Sequence, residues 1–289
     1  MAVVLGLLAA ISYGSADFLG GLATKRNPAI RVALISQVFG FGVYLVALPL
    51  LPEGRFTAEA WLWGTAAGIT GGLGLAFLYR GLAHGRMSVV APMTAVIAAV
   101  LPVAFGLLTG ERPSALQLLG IALAIPAIAL VSSVPHGSAN PGPAGATARR
   151  SRAVSLGVWD ALVSGAAIGL FFITLARPGQ DTGVYPLVAA RIASVSMFLA
   201  LVLVTRTGFR LTPGTAAVVA VSGVIDVTAN LLYLLGTREG LVSVVAVLTS
   251  LYPGATVALA RVVVKERLSV HQLVGLGLAL AGVAAMASG

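Results

Sequence analysis

The sequence contains no cysteine and few charged residues. Without cysteine the chain can form no disulfide, no thiolate metal site and no thiol nucleophile. Charged residues make up 9% of the 289 residues and apolar residues 58%, whereas a soluble domain has about 25% charged residues. This balance excludes a large soluble domain and indicates a polytopic membrane protein.

Acidic residues are the scarcest charged type. Nine Asp and Glu stand against 18 Lys and Arg, so the formal net charge is +9. A basic excess is also found in nucleic-acid-binding proteins. Here, however, the Lys and Arg lie almost wholly between apolar runs, where membrane topology signals occur. We therefore expect no nucleic-acid partner.

Known catalytic motifs are missing as well. The three histidines, His84, His136 and His271, lie at the ends of apolar runs or between them, and no HExxH, GxSxG or GxxxxGK[ST] pattern occurs. These absences argue against a metalloprotease, a membrane serine protease and an ATP-driven pump. We expect no enzymatic activity, no cofactor and no bound metal.

One stretch of the chain occurs twice. Residues 85–130 and 240–285 align without a gap at an offset of 155. Apolar matches carry little weight in such a chain, but polar residues match too, and acidic residues are rare. We interpret the pair as a duplicated unit. The matching positions are Glu111-Arg112 with Glu266-Arg267, Ser114 with Ser269, Gln117 with Gln272, and Gly120 with Gly275.

Each copy consists of two apolar runs joined by a short polar hinge. The runs have about 20 residues, the length that an α-helix needs to cross a bilayer core. We expect each hinge to be a solvated turn at the membrane surface rather than a ligand contact. Ser114 and Ser269 are predicted to cap the helices that follow.

The whole chain divides into ten apolar spans, and charged residues, Pro or Gly mark both ends of each span. The connection at residues 135–153 is rich in Pro, Gly, Ala and Arg, so it has little to bury and is predicted to be a flexible linker. The spans are 2–22, 30–51, 59–82, 88–109, 114–134, 154–175, 183–204, 214–236, 243–264 and 269–287.

The linker separates two halves, residues 1–134 and 154–289, of five spans each. Because five is odd, the second half must enter the membrane in the opposite orientation. The predicted fold is an all-α polytopic membrane protein of ten transmembrane helices, arranged as two inverted five-helix repeats. Many secondary transporters have such repeats, with the binding site near the midplane where the halves meet.

Basic residues are unevenly divided between the two sides of the predicted membrane. The positive-inside rule therefore places the odd-numbered loops in the cytoplasm and both termini outside. The odd-numbered loops hold Lys25, Arg26, Arg31, Arg80, Arg86, Arg149, Arg150, Arg152, Arg206, Arg210, Arg261, Lys265 and Arg267, and the even-numbered loops hold Arg55, Arg112, Arg177 and Arg238.

Glycine is abundant, with 35 residues, and much of it lies within spans. Gly64, Gly68 and Gly72 are spaced by four, and Gly165 and Gly169 repeat the spacing. Small residues at this spacing let helix backbones approach closely in lipid. We expect these two faces to be helix contacts.

Asp226 is the strongest candidate for a functional residue. It lies near the middle of the eighth span, where an insertion cost of roughly 2.5–3.5 kcal/mol makes a charge a functional hypothesis by default. Asn230 lies one turn later on the same face. We predict that both line a midplane cavity, where Asp226 couples protons or contacts a cationic part of the substrate. The alternative is a structural pair with Arg191.

Asp17 and Arg191 are two further charged candidates within spans. Asp17 lies near the end of the first span, one turn after Tyr13, which favours a substrate pathway; the alternative is a surface ion pair with Lys25 and Arg26. Arg191 either binds an anionic substrate group or neutralises a buried Asp, since arginine has no accessible neutral form. Gln37 in the second span is a weaker candidate.

Three more tyrosines are candidate substrate contacts. Tyr79 and Tyr233 hold equivalent places in the two halves, and Tyr252 lies deep in the ninth span. The alternative is that aromatics at span ends anchor the protein at the membrane interface. Pro253 follows Tyr252 and is predicted to kink the helix there, a feature common at transport sites.

The arrangement of spans and hinges resembles the EamA family of the drug/metabolite transporter superfamily. The resemblance covers the whole chain, and Lys265 stands where the family usually has Gly. The matching positions are Pro102, Gly110-Glu111-Arg112, Gln117 and Gly120, then Glu266-Arg267, Gln272 and Gly275; Ser12–Phe18 looks like the family's first span, and Arg191 looks like a recurrent arginine of its repeats.

The resemblance implies a carrier that works by alternating access and exports or exchanges a small metabolite, such as an amino acid or a drug-like compound. It also implies cytoplasmic termini, the opposite of the orientation that the charge distribution predicts. Alternatives are an uptake facilitator for sugars or other solutes, and a non-transporting sensor or channel. We expect a bacterial plasma membrane location, with lipids, the substrate and protons as partners, in a monomer or homodimer.

Overall fold

The chain folds into α-helices joined by short loops. The computed structural model describes residues 1–50, 54–84, 87–132, 147–263, 265 and 268–289, with the backbone alone at 79, 82–84, 87–89, 91–92 and 147–156, and these residues include no strand. The α-helices are α1 (Ala2–Thr24), α2 (Ala29–Ala47), α3 (Ala58–His84), α4 (Met87–Leu108), α5 (Ala115–Ser132), α6 (Thr147–Ala176), α7 (Tyr185–Val204), α8 (Ala216–Glu239), α9 (Val242–Thr249), α10 (Tyr252–Val263) and α11 (Val270–Ser288).

These helices correspond to the ten predicted spans. Within the described residues, nine helices are long and apolar enough to cross a membrane, with α9 and α10 together as one of them. The tenth, α4, has a described apolar stretch of Met93–Leu108. The prediction of an all-α polytopic membrane protein is therefore confirmed.

The ninth span is broken in its middle. Helix α9 ends at Thr249, Ser250 and Leu251 form a turn, and α10 begins at Tyr252. Pro253 has no N–H to donate to the carbonyl of Thr249, so the helical ladder stops there. The kink predicted at Pro253 is confirmed, and it is an interruption rather than a bend.

Helix α6 begins inside the predicted linker. It starts at Thr147, whereas the sequence predicts a linker to residue 153 and a span from residue 154. The helix breakers of the linker, Pro143 and Gly145, lie before this point, and the Ala and Arg residues that follow favour helix. The membrane-spanning part of α6 begins at Gly157. Residues 135–146 lie outside the described part.

The packing of the helices shows two inverted halves, α1–α5 and α6–α11. Helix α3 packs on α6 as α8 packs on α1, and α3 packs on α7 as α8 packs on α2. Likewise, α4 packs on α6 as α9 and α10 pack on α1. Exchanging the halves therefore preserves the contacts. Because each half has five spans, the two halves have opposite orientations in the membrane, as predicted.

Glycine faces allow the closest of these contacts. A Cβ added at Gly68 would lie 2.1 Å from the carbonyl oxygen of Ala190, and one at Gly64 would lie 2.3 Å from that of Pro186. The backbones of α3 and α7 therefore touch, as small residues permit in lipid. Gly165 makes a close contact between α6 and α4, where an added Cβ would lie 2.8 Å from the carbonyl oxygen of Thr94, so both predicted glycine faces are confirmed as helix contacts.

The first hinge is tied to the other half. Ser114 and Ser269 cap α5 and α11, as predicted, and Gln117 and Gln272 complete the capping boxes. Glu111 is not merely a solvated turn residue. Its carboxylate accepts from the backbone N–H groups of Val242 at 2.7 Å and Ser243 at 3.1 Å, at the start of α9. The matching pair Glu266-Arg267 lies outside the described residues.

Candidate functional site

A cavity of about 170 Å³ lies between the two halves. Helices α1, α2 and α3 line it from the first half, and α6, α7, α8 and α10 line it from the second. On α3 the lining includes Ala67, Gly68, Gly71 and Gly72, whose small side chains leave the space open. The cavity thus occupies the place that an inverted-repeat transporter uses for its substrate.

The end of the cavity nearer the chain termini is closed by packed side chains. A buried cluster there includes Ala9, Tyr44, Leu187, Leu234 and Val245. Ala9 on α1 and Leu234 on α8 lie closer to the terminal side than the cavity residues of the same helix, whereas Tyr44 and Leu187 belong to the cluster and also line the cavity. Loops on that side are also joined across the halves, because the N–H of Arg55 donates to the carbonyl of Asp181 at 2.8 Å.

Arg191 organises one wall of the cavity. Its guanidinium donates to Asp226 Oδ2 at 2.8 Å and to Gln37 Oε1, and its side chain is only 6% exposed. The hydroxyl of Ser194, one turn later on α7, donates to the same Gln37 oxygen at 2.9 Å. Because a buried guanidinium cannot lose its charge, it needs these acceptors.

Asp226 and Asn230 form the α8 part of this wall. The Asn230 amide donates to the Asp226 carbonyl at 2.6 Å and to its carboxylate at 3.3 Å. Both side chains line the cavity, and the Asp226 side chain is 32% exposed. The structural pair with Arg191, which the sequence leaves as the alternative for Asp226, is present, and it coexists with a place on the cavity wall.

Asp17 and Tyr13 line the cavity from α1 and have no such partners. Asp17 is exposed, and within the described residues its carboxylate makes no hydrogen bond or ion pair, including with Lys25 or Arg26. The Tyr13 hydroxyl is buried and also has no hydrogen-bond partner in this part of the chain. The Tyr13 ring meets the edge of Phe172 with centroids 6.3 Å apart.

The remaining tyrosines differ in whether they line the cavity. Tyr252 lines the cavity at the start of α10. Tyr233 does not: it is fully buried, and its hydroxyl donates to the carbonyl of Phe172 at 2.8 Å. Its place in the packed layer makes it a support for Phe172 rather than a lining residue. The side chain of Tyr79 lies outside the described residues.

Sequence reasoning missed several lining residues. Tyr44 lines the cavity, donates its hydroxyl to the Val227 carbonyl at 3.0 Å and places its ring 5.9 Å from the Arg191 guanidinium carbon. Phe171 and Phe172 also line it. Nothing separates these aromatics from lipid-facing ones in the sequence. Ser194 had a signal, since it follows Arg191 by one turn.

Outside the cavity, Asp160 and Arg80 form an ion pair. Asp160 is 2% exposed and pairs with Arg80, whose Nε lies 3.0 Å from its carboxylate. Within those residues no group of three His, Asp or Glu has metal-binding geometry. The chemistry available in the cavity is therefore binding through one free carboxylate, an ion pair, hydroxyls and aromatic rings.

Comparison with known proteins agrees with this architecture. The EamA-like transporter family matches residues 1–133 and 155–288. An uncharacterized protein of Methanocaldococcus jannaschii, MJ1333.1, is 26% identical over 134 residues, which cover 45% of this chain and 96% of that protein. A single half of this chain thus accounts for nearly the whole length of that relative.

A solved crystal structure has the same fold. It superposes with a TM-score of 0.77 at 16% identity, covering 99% of this chain and 96% of that one. The two family matches together span nearly the full chain and coincide with its two inverted halves. The chain therefore belongs to the EamA-like transporter family and is a membrane transporter of the drug/metabolite type.

Proposed function

We propose that this protein is a secondary carrier that exports or exchanges a small organic solute, such as an amino acid or a drug-like compound, across a bacterial plasma membrane. The cavity between the halves is the solute site. Alternating access moves it from one side to the other, as the packed layer near the termini opens and the opposite end closes. Protons are the proposed coupling ion.

The observation that supports the proposal is the placement of Asp17, Arg191 and Asp226. All three lie within membrane-spanning helices and line one cavity that both halves form. Charges at that depth are costly, so they are typical of substrate and ion pathways. A cavity closed at one end by a packed layer is what a carrier requires, whereas a channel requires a continuous pore.

The test is counterflow in proteoliposomes. Vesicles are preloaded with one unlabelled amino acid, amine or sugar at a time, and uptake of the same labelled compound is measured. A carrier gives transient accumulation above the outside concentration for at least one compound. Flux without such accumulation would identify a channel, and no flux for any class would contradict the proposal.

Two variants on α3 show whether flux passes through the cavity. Leu78→Trp adds a large side chain to the cavity lining and should abolish counterflow. Leu73→Trp is the matched control, because Leu73 lies on the same helix, is 40% exposed and is not in the lining. Equal loss in both variants would contradict the assignment of the cavity.

A further inference from the structure

One carboxyl group in the cavity, that of Asp17, has no ion-pair partner in the described residues. Its ionisable lining residues within spans are Asp17, Arg191 and Asp226, apart from tyrosines. Arg191 and Asp226 form an ion pair at 2.8 Å, so their charges cancel locally. Asp17 makes no ion pair in the described residues, and it is exposed and lines the cavity.

Arg191 is not free to bind a carboxylate on a solute. Its donors already reach Asp226 and Gln37, the Tyr44 ring lies beside it, and its side chain is 6% exposed. An entering carboxylate would meet the Asp17 and Asp226 carboxylates and no cation of the lining with an open face. Like charges at short distance in a low-dielectric site repel strongly.

Aromatic rings surround the Asp17 side of the cavity. Tyr13 lies one turn before Asp17 on α1, its ring packs against Phe172, and Tyr252 lines the adjoining wall on α10. The faces of aromatic rings attract organic cations within about 6 Å. The unpartnered hydroxyl of Tyr13 adds a hydrogen-bonding group near this wall.

We propose that the solute is a small organic monocation, a protonated amine without a carboxylate, whose ammonium group binds the Asp17 carboxylate. This inference rests on the proposed carrier function and narrows its substrate class. It excludes amino-acid zwitterions as preferred solutes, because the site offers the ammonium a counter-charge and gives the carboxylate none.

Binding of matched compounds to purified full-length protein tests the inference. Two series differ only in charge: 2-phenylethylamine, phenylalanine and 3-phenylpropionate, then 3-methylbutylamine, leucine and 4-methylpentanoate. Calorimetric titration at pH 7, where the amines are protonated, gives the dissociation constants. We expect the amine of at least one series to bind at least tenfold more tightly than its zwitterion and acid.

Variants of Asp17 test the residue itself. Asp17→Asn should weaken binding of the amine roughly 10- to 100-fold, the range for hydrogen bonds to charged groups. Asp17→Glu keeps the charge and should retain binding within about fivefold. Glu59→Gln is the control for losing a carboxylate, because Glu59 is exposed on α3 and does not line the cavity.

Each other outcome overturns the inference. Equal or tighter binding of a zwitterion or acid rejects the substrate class, as does no binding of either amine. Amine binding that Asp17→Asn leaves unchanged, in protein with a normal thermal transition, rejects Asp17 as the contact. Counterflow of a zwitterion or sugar that Leu78→Trp abolishes would keep the carrier function and remove the amine inference alone.

Discussion

The two walls of the cavity treat their polar groups in opposite ways. On the α7–α8 wall, Arg191, Asp226 and Asn230 bind one another, and Gln37 of α2 and Ser194 join the same network. On the α1–α10 wall, Asp17 and the Tyr13 hydroxyl have no partner among the described residues.

The difference separates support from binding. A polar network with its members satisfied fixes the helices that carry it, and breaking it leaves a buried group unpaired. An unpartnered carboxylate beside an open cavity contributes little to stability and is available to a solute. We therefore assign Arg191 and Asp226 to the framework of the site and Asp17 to recognition. Substitutions on the α7–α8 wall should therefore lower the stability of the protein more than substitutions on the α1–α10 wall.

The largest difference should be between Asp226→Asn and Asp17→Asn. Breaking a buried ion pair costs about 3–5 kcal/mol, and partial exposure of Asp226 reduces this to about 2 kcal/mol. Asp17→Asn should change the free energy of unfolding by less than about 0.5 kcal/mol. Thermal unfolding in detergent measures both. A larger loss from Asp17→Asn would reverse the assignment of the walls.

The second prediction concerns the ion pair as a unit. If the cost of Asp226→Asn comes from an unpaired guanidinium, replacing Arg191 by Gln in the same chain should recover about 1 kcal/mol or more. The double-mutant cycle from Arg191→Gln, Asp226→Asn and their combination gives the coupling energy. Additive losses would show that the two residues stabilise the protein separately.

Glu111, a hydrogen-bonded carboxylate outside the cavity, extends the comparison. Glu111→Gln weakens two bonds to the start of α9, and we expect a loss of about 1 kcal/mol. Arg112→Gln removes a neighbouring charge from an exposed side chain and should cost less than about 0.3 kcal/mol. Equal unfolding temperatures for the two variants would remove the structural role given to Glu111.

The last comparison is between two tyrosine hydroxyls. Tyr44→Phe removes the bond to Val227 and should cost about 1 kcal/mol. Tyr13→Phe removes a hydroxyl without a partner in the described residues, so stability should stay unchanged or rise by about 0.5 kcal/mol. The same unfolding assay compares them, and a greater loss from Tyr13→Phe would reveal a hydrogen bond on the α1 wall.

The sequence predicted the spans and the duplicated hinge, because hydrophobic length and repetition are visible in it. The cost of a buried charge made the Arg191–Asp226 pair an alternative for Asp226. The sequence ranked Asp226 above Asp17 as the functional acid, because a sequence shows how deep a residue lies along a helix and does not show which groups the residue contacts. Asp226 lies deeper and is paired, whereas Asp17 has no ion-pair partner among the described residues. Tyr233 and Tyr44 show the same limit, because facing a cavity depends on helix packing.

Whether the cavity carries a net negative charge from Asp17 can be measured directly, since the chain has no cysteine. A thiol introduced by Leu78→Cys in the cavity lining is treated with cationic 2-aminoethyl methanethiosulfonate and anionic 2-sulfonatoethyl methanethiosulfonate. The ratio of the two rates, divided by the ratio for 2-mercaptoethanol, reports the local potential. We predict a normalised ratio of about ten or more, as focused fields give, falling several-fold when Asp17→Asn is added. A ratio near one, or one that Asp17→Asn leaves unchanged, would contradict the account.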